Sequence, residues 1–556
     1  MTLQQEAMAM NETPRPEIAA LGSSTLCEAF QITAAQRPGQ VALRTLGGAT
    51  EITYAGFLAQ VRALAEGLHS LGVGRGDTVA LMLANRPEFS LADTAVMHVG
   101  ATAFSVYNTS SAEQAHHIFR NAGNRVVVTE RQFLPRVLES RTPEIEHIVL
   151  VDGADTGTIS LQDLARLRVP GFDFDSAWRA VQPDDVVTLI YTSGTTGPSK
   201  AVQLTHDSVL FQTRGVAAIL GLQADGRSIS YLPSAHVGDR CLTHYGASLC
   251  FGNSVTSIPD HRQVGLALVE VRPTVFGGVP RVWEKFKAGL EAAGVTDPMK
   301  LPEQAKAAVR AKSGLDQTGW RITAAAPIST EVLQYFAALG LELNEGWGMS
   351  ESSCFGTLNP PDQIRPGTVG KPLPDVEVVV ADDGEMLVRA PLVMKGYRGD
   401  PGKTAEAIDA DGWLHTGDIA QIDGDGYVRI VDRKKELIIN SAGKNMSPAN
   451  IELKLRASSR LIAHAVCIGD RRPYNVALIA LDREMCAGRA PDELRSAVEA
   501  AVAMANAELS RVEQVKRIAI VDADWLPGGD ELTPTMKLKR KPILQKYASE
   551  IEQLYS

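Results

Sequence analysis

The sequence predicts an α/β protein, with a large N-terminal region of several subdomains followed by a smaller C-terminal unit. Three observations predict it. The chain has 556 residues, well beyond the roughly 100–200 of one ordinary domain. From residue 25 to about 184, short β-branched runs alternate with helical patterns, the order expected of a parallel sheet covered by helices. After about residue 436 the alternation begins again.

The elements follow in order. Residues 1–24 are polar and are expected to be flexible. Residues 57–68 space Phe57, Val61, Leu64 and Leu68 on one helical face. The glycines of 72–77 have GxGxG spacing and precede a strand instead of following one, so they read as a turn and not as a dinucleotide loop. Residues 78–83 predict a parallel strand, and 125–129 and 147–151 two more. Residues 185–190 predict a buried strand, 201–204 a short one, and a helix starts near Thr205 with Val209, Leu210, Val216, Ala217 and Leu220 on one face. In the C-terminal unit, strand-like 465–469 and 476–480 flank a turn at Arg472 and Pro473, and a helix is expected over 493–508.

Composition narrows the function. A hydrophobic content of 44% with 22% charged residues supplies ample core material. The net charge of −10 argues against general nucleic-acid binding. Residues 1–20 have no basic segment followed by an apolar run, so no signal peptide is expected. No stretch of about 20 apolar residues predicts a spanning helix. Cys27, Cys241, Cys250, Cys354, Cys467 and Cys486 lack CxxC spacing, so reduced, mostly buried thiols of a cytoplasmic protein are expected and a zinc site is not.

The chain is organised around residues 191–200, Tyr-Thr-Ser-Gly-Thr-Thr-Gly-Pro-Ser-Lys. Thr192, Ser193, Thr195 and Thr196 offer hydroxyls, Gly194 and Gly197 let backbone amides approach an anion, and Lys200 adds a compact cation. Directly after a buried strand, that is the chemistry of a loop holding nucleotide phosphates, although GxxxxGK[ST] spacing occurs nowhere in the chain. Residues 343–351 end in Trp347-Gly348-Met349-Ser350-Glu351. Here an aromatic ring suits adenine, Gly348 permits close approach, and a carboxylate suits Mg²⁺. Asp418, expected at a strand end before the 423–426 hairpin turn, suits two ribose hydroxyls.

These motifs, in this order, resemble the adenylate-forming superfamily of acyl-CoA synthetases, luciferases and peptide-synthetase adenylation domains. The resemblance covers about residues 25–546. The Leu-Pro-Ser-Ala-His-Val run ending at Val237, the Gly-Val-Pro-Arg-Val-Trp-Glu run ending at Glu284 and the Thr-Pro-Thr-Met-Lys run ending at Lys537 are most similar to long-chain fatty acyl-CoA synthetases. The resemblance implies a 25–431 adenylate-forming domain, a hinge at 432–435 centred on Lys435, and a small mobile α+β lid over 436–556. It gives Lys537, Glu351 and His236 catalytic places, with Glu351 also holding the metal. Trp347, Ser350, Asp418 and Arg433 are implied to bind ATP or AMP. Gly277, Gly278, Ala325 and Gly443 are implied to line the acyl or CoA pocket. Two positions depart from the pattern: alanines stand at 324–325 and Met536 precedes Lys537, where glycines are usual.

The chemistry implied is activation of a carboxylic acid by ATP, with acyl-AMP as intermediate and CoA as acceptor. A medium- to long-chain fatty acid is the expected donor. Alternatives are transfer to a carrier-protein pantetheine, an aryl or steroid-type acid, and a non-catalytic nucleotide-binding regulator. Retention of Lys200, Glu351, Asp418, Arg433 and Lys537 speaks against the last. The basic run Lys537, Lys539, Arg540, Lys541 is also expected as a contact for CoA phosphates or an anionic membrane surface.

Overall fold

The computed structural model describes residues 18–192, 198–441, 444–526, 528–533 and 536–556. At its centre lies an eight-stranded sheet in the order Gly396–Tyr397, Lys200–Thr205, Val186–Thr192, Thr102–Ser105, Thr78–Met82, Val126–Thr129, His147–Leu150, Ile159–Ser160. From Val186–Thr192 onward every pairing is parallel, while Lys200–Thr205 turns back antiparallel and pairs Thr192 with Lys200. Every residue of the three strands around Thr78–Met82 is buried, as helices on both faces require.

Helix boundaries follow local chemistry. Tyr54–Ser70 starts where the Thr53 hydroxyl accepts the Gly56 amide, and buries Phe57, Val61, Leu64, Ala65 and Leu68 at helical spacing. Each such side chain contributes about 1.5–3 kcal/mol when fully buried. His206–Leu220 starts at a reciprocal Thr205–Ser208 cap and ends at Gly221, whose φ is 57°. The expected face is the buried one. Residues 72–77 form turns with Gly72 and Gly76 at positive φ.

Three smaller sheets surround this core. Val275–Gly278, Trp320–Thr323 and Asn344–Trp347 run parallel in a five-stranded sheet. Arg227–Ser230 and Ser254–Ser257 run parallel in a four-stranded one. Leu414–Ile422 and Val428–Arg433 form an antiparallel hairpin in another. Thr192, Gly278, Thr323 and Trp347 each end a parallel strand, so the segments that follow converge where α/β sheets bind ligands.

The C-terminal part has its own core. Two apolar clusters, one including Ile451, Ile479 and Val498 and the other Leu478, Trp525 and Ile543, draw only on residues beyond 437. They pack around a sheet of Ile462–Ile468, Asn475–Leu481 and Val515–Val521, with Pro448–Ala457 and Pro491–Ala507 as helices. Ion pairs tie this unit to the helix Pro280–Ala292: Arg281 to Asp482 at 2.9 Å, Glu284 to Arg456 at 3.5 Å, and Glu291 to Arg460. Cys27, Cys241, Cys250, Cys354 and Cys467 are buried free thiols and Cys486 is half-buried. Among the described residues no helix is long and apolar enough to cross a membrane.

Candidate active site

A cleft of about 3200 Å³ runs between the N-terminal sheets and the C-terminal unit. Thr192 and Lys200 border it from the paired strands; Ser193, Gly194, Thr195, Thr196 and Gly197 lie outside the described residues, as does Gly443. The Lys200 ammonium sits 4.5 Å above the Tyr397 ring. The Tyr397 hydroxyl in turn donates to Glu351 Oε1 at 2.8 Å. Glu351 is buried in the short turn Ser350–Ser352, beside the half-buried Ser350. Its Oε2 accepts no hydrogen bond among the described residues. No group of three or more His, Cys, Asp and Glu side chains there is arranged as a metal cage. One cleft-facing carboxylate suits a Mg²⁺ that keeps phosphate and water oxygens as its other ligands.

Asp418 is the second focus. It lies within the strand Leu414–Ile422, at a bulge, not at a strand end as the sequence led us to expect. Its Oδ2 accepts the Trp347 indole N–H at 2.7 Å and its Oδ1 pairs with Arg433 Nε at 2.7 Å. Burial raises its pKa above the usual carboxylate value, and Arg433 and Trp347 only partly offset that. Trp347 is itself buried, its ring against Gly356, where a Cβ would come within 2.8 Å. Gly348 lines the cleft and also serves a backbone contact. A Cβ there would lie 1.4 Å from the Cys354 carbonyl, so this glycine closes the backbone turn.

Lys537 enters from the C-terminal unit on a tight turn. Leu532 bridges Leu538, the Lys537 amide donates to Thr533 Oγ1 at 3.0 Å, and Met536 holds a φ of 65°. The side chain keeps solvent contact through the open cleft, yet protein surrounds it. This desolvation, reinforced by Arg433, lowers its pKa, while Asp418, Glu351 and Glu436 oppose the shift. His236 faces the same cleft. The Gly238 amide donates to its Nδ1 at 3.1 Å, which leaves the ring proton on Nε2. Burial, then the Lys537 charge, pull its pKa down to about 4, so the imidazole is neutral at physiological pH.

The far wall separates two neighbouring glycines. A Cβ on Gly278 would meet Tyr231, Trp283 and Val282 at 3.1–3.3 Å, whereas one on Gly277 would meet only Ile322 at 4.0 Å. Gly277 therefore leaves room, and Gly278 closes packing. Ala325 lines the cleft with a φ of 75°, a left-handed conformation that costs an L-residue roughly 1–2 kcal/mol. Lys435 is exposed in the turn between Val428–Arg433 and Ile438–Ile439.

Residues 30–398 match the AMP-binding enzyme family and residues 435–556 the AMP-binding enzyme C-terminal domain. The chain belongs to the AMP-binding enzyme family. It is 48% identical over 451 residues to the Mycobacterium tuberculosis protein named "Putative fatty-acid--CoA ligase fadD11", covering 72% of this chain and 79% of that one. It is 33% identical over 561 residues to the long-chain-fatty-acid–CoA ligase FadD15 of Mycobacterium bovis, covering 91% and 92%. The adenylation domain of a carboxylate reductase from Mycobacterium chelonae shares the fold, with a TM-score of 0.80 and 19% identity over 100% of this chain and 97% of that one. A large N-terminal AMP-binding domain and a C-terminal domain are thus the architecture of this enzyme.

Sequence reading missed Tyr397, which links Lys200 to Glu351. Its only signal was a Gly-Tyr pair in a polar stretch. It overstated the basic run. Arg540 is held by Glu436 at 3.1 Å and Glu452 at 2.7 Å, and Lys539 donates to the Gly529 carbonyl at 2.8 Å.

Proposed function

We propose that this AMP-binding enzyme is an ATP-dependent fatty acid–CoA ligase, with a medium- to long-chain fatty acid as donor. The observation that carries the reading is the convergence of Lys537, from the C-terminal domain, with Glu351, Asp418 and His236 of the N-terminal domain. The relatives named as fatty-acid–CoA ligases support the acid class.

A carboxylate resists nucleophiles because resonance and charge protect its carbon. In the first half-reaction a carboxylate oxygen attacks the α-phosphorus of ATP, the α–β phosphoanhydride bond breaks, and pyrophosphate leaves. The need is charge neutralisation and in-line placement more than proton transfer. Lys537 and Lys200 supply cations, Thr192 and Ser350 border the phosphates, Trp347 faces the adenine side, and Asp418 with Arg433 holds the ribose. His236 offers its Nε2–H to the acyl carboxylate oxygen. A Mg²⁺ carried on the phosphates would be held by Glu351 and would supply charge neutralisation there. In the second half-reaction the CoA thiolate attacks the acyl carbon and AMP leaves with the carboxyl oxygen. Lys537 fills the cleft during the first step and would obstruct the second, so we take residues 432–435, with Lys435, as the hinge on which residues 436–556 rotate.

With Lys539 and Arg540 engaged internally, the basic run offers Lys537 and Lys541 to CoA phosphates, and it gives a membrane contact little support. Incubation with ATP, CoA and acids of graded chain length, with thioester and AMP quantified, tests the reading. AMP release that needs both a fatty acid and CoA supports it. AMP release that needs a carrier-protein pantetheine, or an aryl acid, replaces it.

A further inference from the structure

His236 sits in the eight-residue stretch 231–238 with no strand to hold it, between Arg227–Ser230 and the wide-turned helix Asp239–Cys250. Its position therefore depends on what pins this stretch from behind. Arg240 is fully buried there. Its Nε donates to the Ser234 carbonyl at 3.3 Å, one terminal nitrogen to Ser105 Oγ at 2.7 Å, and the other to Tyr245 Oη at 3.2 Å and to Asp93. Ser105 ends a central strand of the main sheet, and Asp93, also fully buried, lies on the helix Pro87–His98. The Arg240 amide donates to the His236 carbonyl at 3.3 Å. One planar cation thus joins the His236 loop to the sheet and to a core helix.

Such a pair is an expensive way to stabilise a core. Desolvating two charges offsets most of their attraction, and apolar replacements of similar size are often as stable. Its geometry is the distinctive property, because a guanidinium presents donors in a fixed fork that an ammonium cannot reproduce.

We propose that Arg240, braced by Asp93 and Ser105, is a positioning residue for acid activation, holding the His236 loop so that Nε2–H faces the acyl carboxylate. The proposal rests on the role given to His236 above. Arg240 is fully buried and does not line the cleft.

The test is a double-mutant cycle of Arg240→Lys with His236→Ala, read as acid-dependent ATP–pyrophosphate exchange with urea unfolding alongside. Displacing a reacting group by about 1 Å can cost on the order of 100-fold. We expect Arg240→Lys to lower kcat by about 10- to 100-fold, with KM for ATP within about twofold. In the His236→Ala background the same change should cost less than about twofold, because there is nothing left to position. Ser105→Ala, which removes the Ser105 contacts to Arg240 and to the Ser234 hydroxyl and keeps the ion pair, should show the same pattern more weakly and serves if Arg240→Lys does not fold. Equal losses in both backgrounds would overturn the proposal while leaving His236 in its role. A His236→Ala enzyme with wild-type exchange would overturn both.

Discussion

Replacing Asp418 by Asn separates catalysis from folding. The carboxylate holds the Trp347 indole at 2.7 Å and Arg433 at 2.7 Å, and its side chain is only 4% exposed. Its pKa is raised, so burial costs the charged form more than its partners return. A carboxyl whose folded pKa lies above its unfolded value of about 3.9 contributes stability that is complete below that value. The contribution is lost as pH rises through the folded pKa. Asparagine keeps an acceptor for Trp347 and removes the charge. The cation left behind, Arg433, is 45% exposed and can be hydrated. The usual penalty of about 3–5 kcal/mol for stranding a buried charge therefore does not apply. We predict a change in unfolding free energy at pH 7.5 of less than about 1 kcal/mol. Activity should respond differently. A hydrogen bond to a charged group contributes about 1.5–3 kcal/mol, and the two ribose hydroxyls lose their ionised acceptor. A net loss of about 2–3 kcal/mol lowers kcat/KM for ATP about 30- to 150-fold. Exchange kinetics at saturating acid and urea unfolding measure the two quantities. A kcat/KM for ATP within about threefold of wild type would refute the ribose role, and a loss of several kcal/mol in stability would make the Asp418–Arg433 pair structural.

Gly277→Val should fold normally and discriminate against long acids, each excluded methylene costing about 0.8 kcal/mol, or roughly fourfold in kcat/KM. A uniform loss over all chain lengths would count against Gly277 as part of the acyl wall, and Gly278→Val, which has no space, should destabilise the fold instead. Ala325→Gly and Met536→Gly remove left-handed strain and should each raise unfolding free energy by up to about 1 kcal/mol after the entropy gained by the unfolded glycine; a clear loss in both would contradict the strain. Glu345 lines the cleft and burial raises its pKa to about 7, against the Gly367 amide and Arg429. The stability it contributes is complete below its unfolded value of about 4.3 and lost as pH rises through about 7. The advantage of Glu345→Gln over wild type in urea should therefore grow between pH 4.5 and 7.5, and a constant difference would argue against the raised value.

What could be read from the chain divides by the range of the forces involved. The strands Thr78–Met82 and Val186–Thr192 and the helices Tyr54–Ser70 and His206–Leu220 were legible because apolar spacing and capping residues act over a few positions. The cleft was legible wherever a motif is contiguous, as in 343–351 or around Lys537. Contacts between distant segments were not. Asp93 and Arg240 are 147 positions apart, Glu351 and Tyr397 are 46 apart, and no local pattern marks Asp93 or Tyr397 as the partner. Glycines were ambiguous in a consistent way. At Gly348 and Gly278 the space a side chain would need is taken by the protein itself, and a single sequence does not distinguish that from room left for a ligand.

The central claim is that Lys537 reaches across the cleft to form an acyl-adenylate. It is tested most directly by fatty-acid-dependent ATP–pyrophosphate exchange in the wild type and in Lys537→Ala, with ATP binding measured on both. The account predicts exchange in the wild type that requires a fatty acid. In the variant, exchange should fall by at least about 100-fold, as for other groups that stabilise charge in a transition state, while ATP binding persists. A wild type that binds ATP but exchanges with no acid, or a variant that exchanges as well as the wild type, would contradict it.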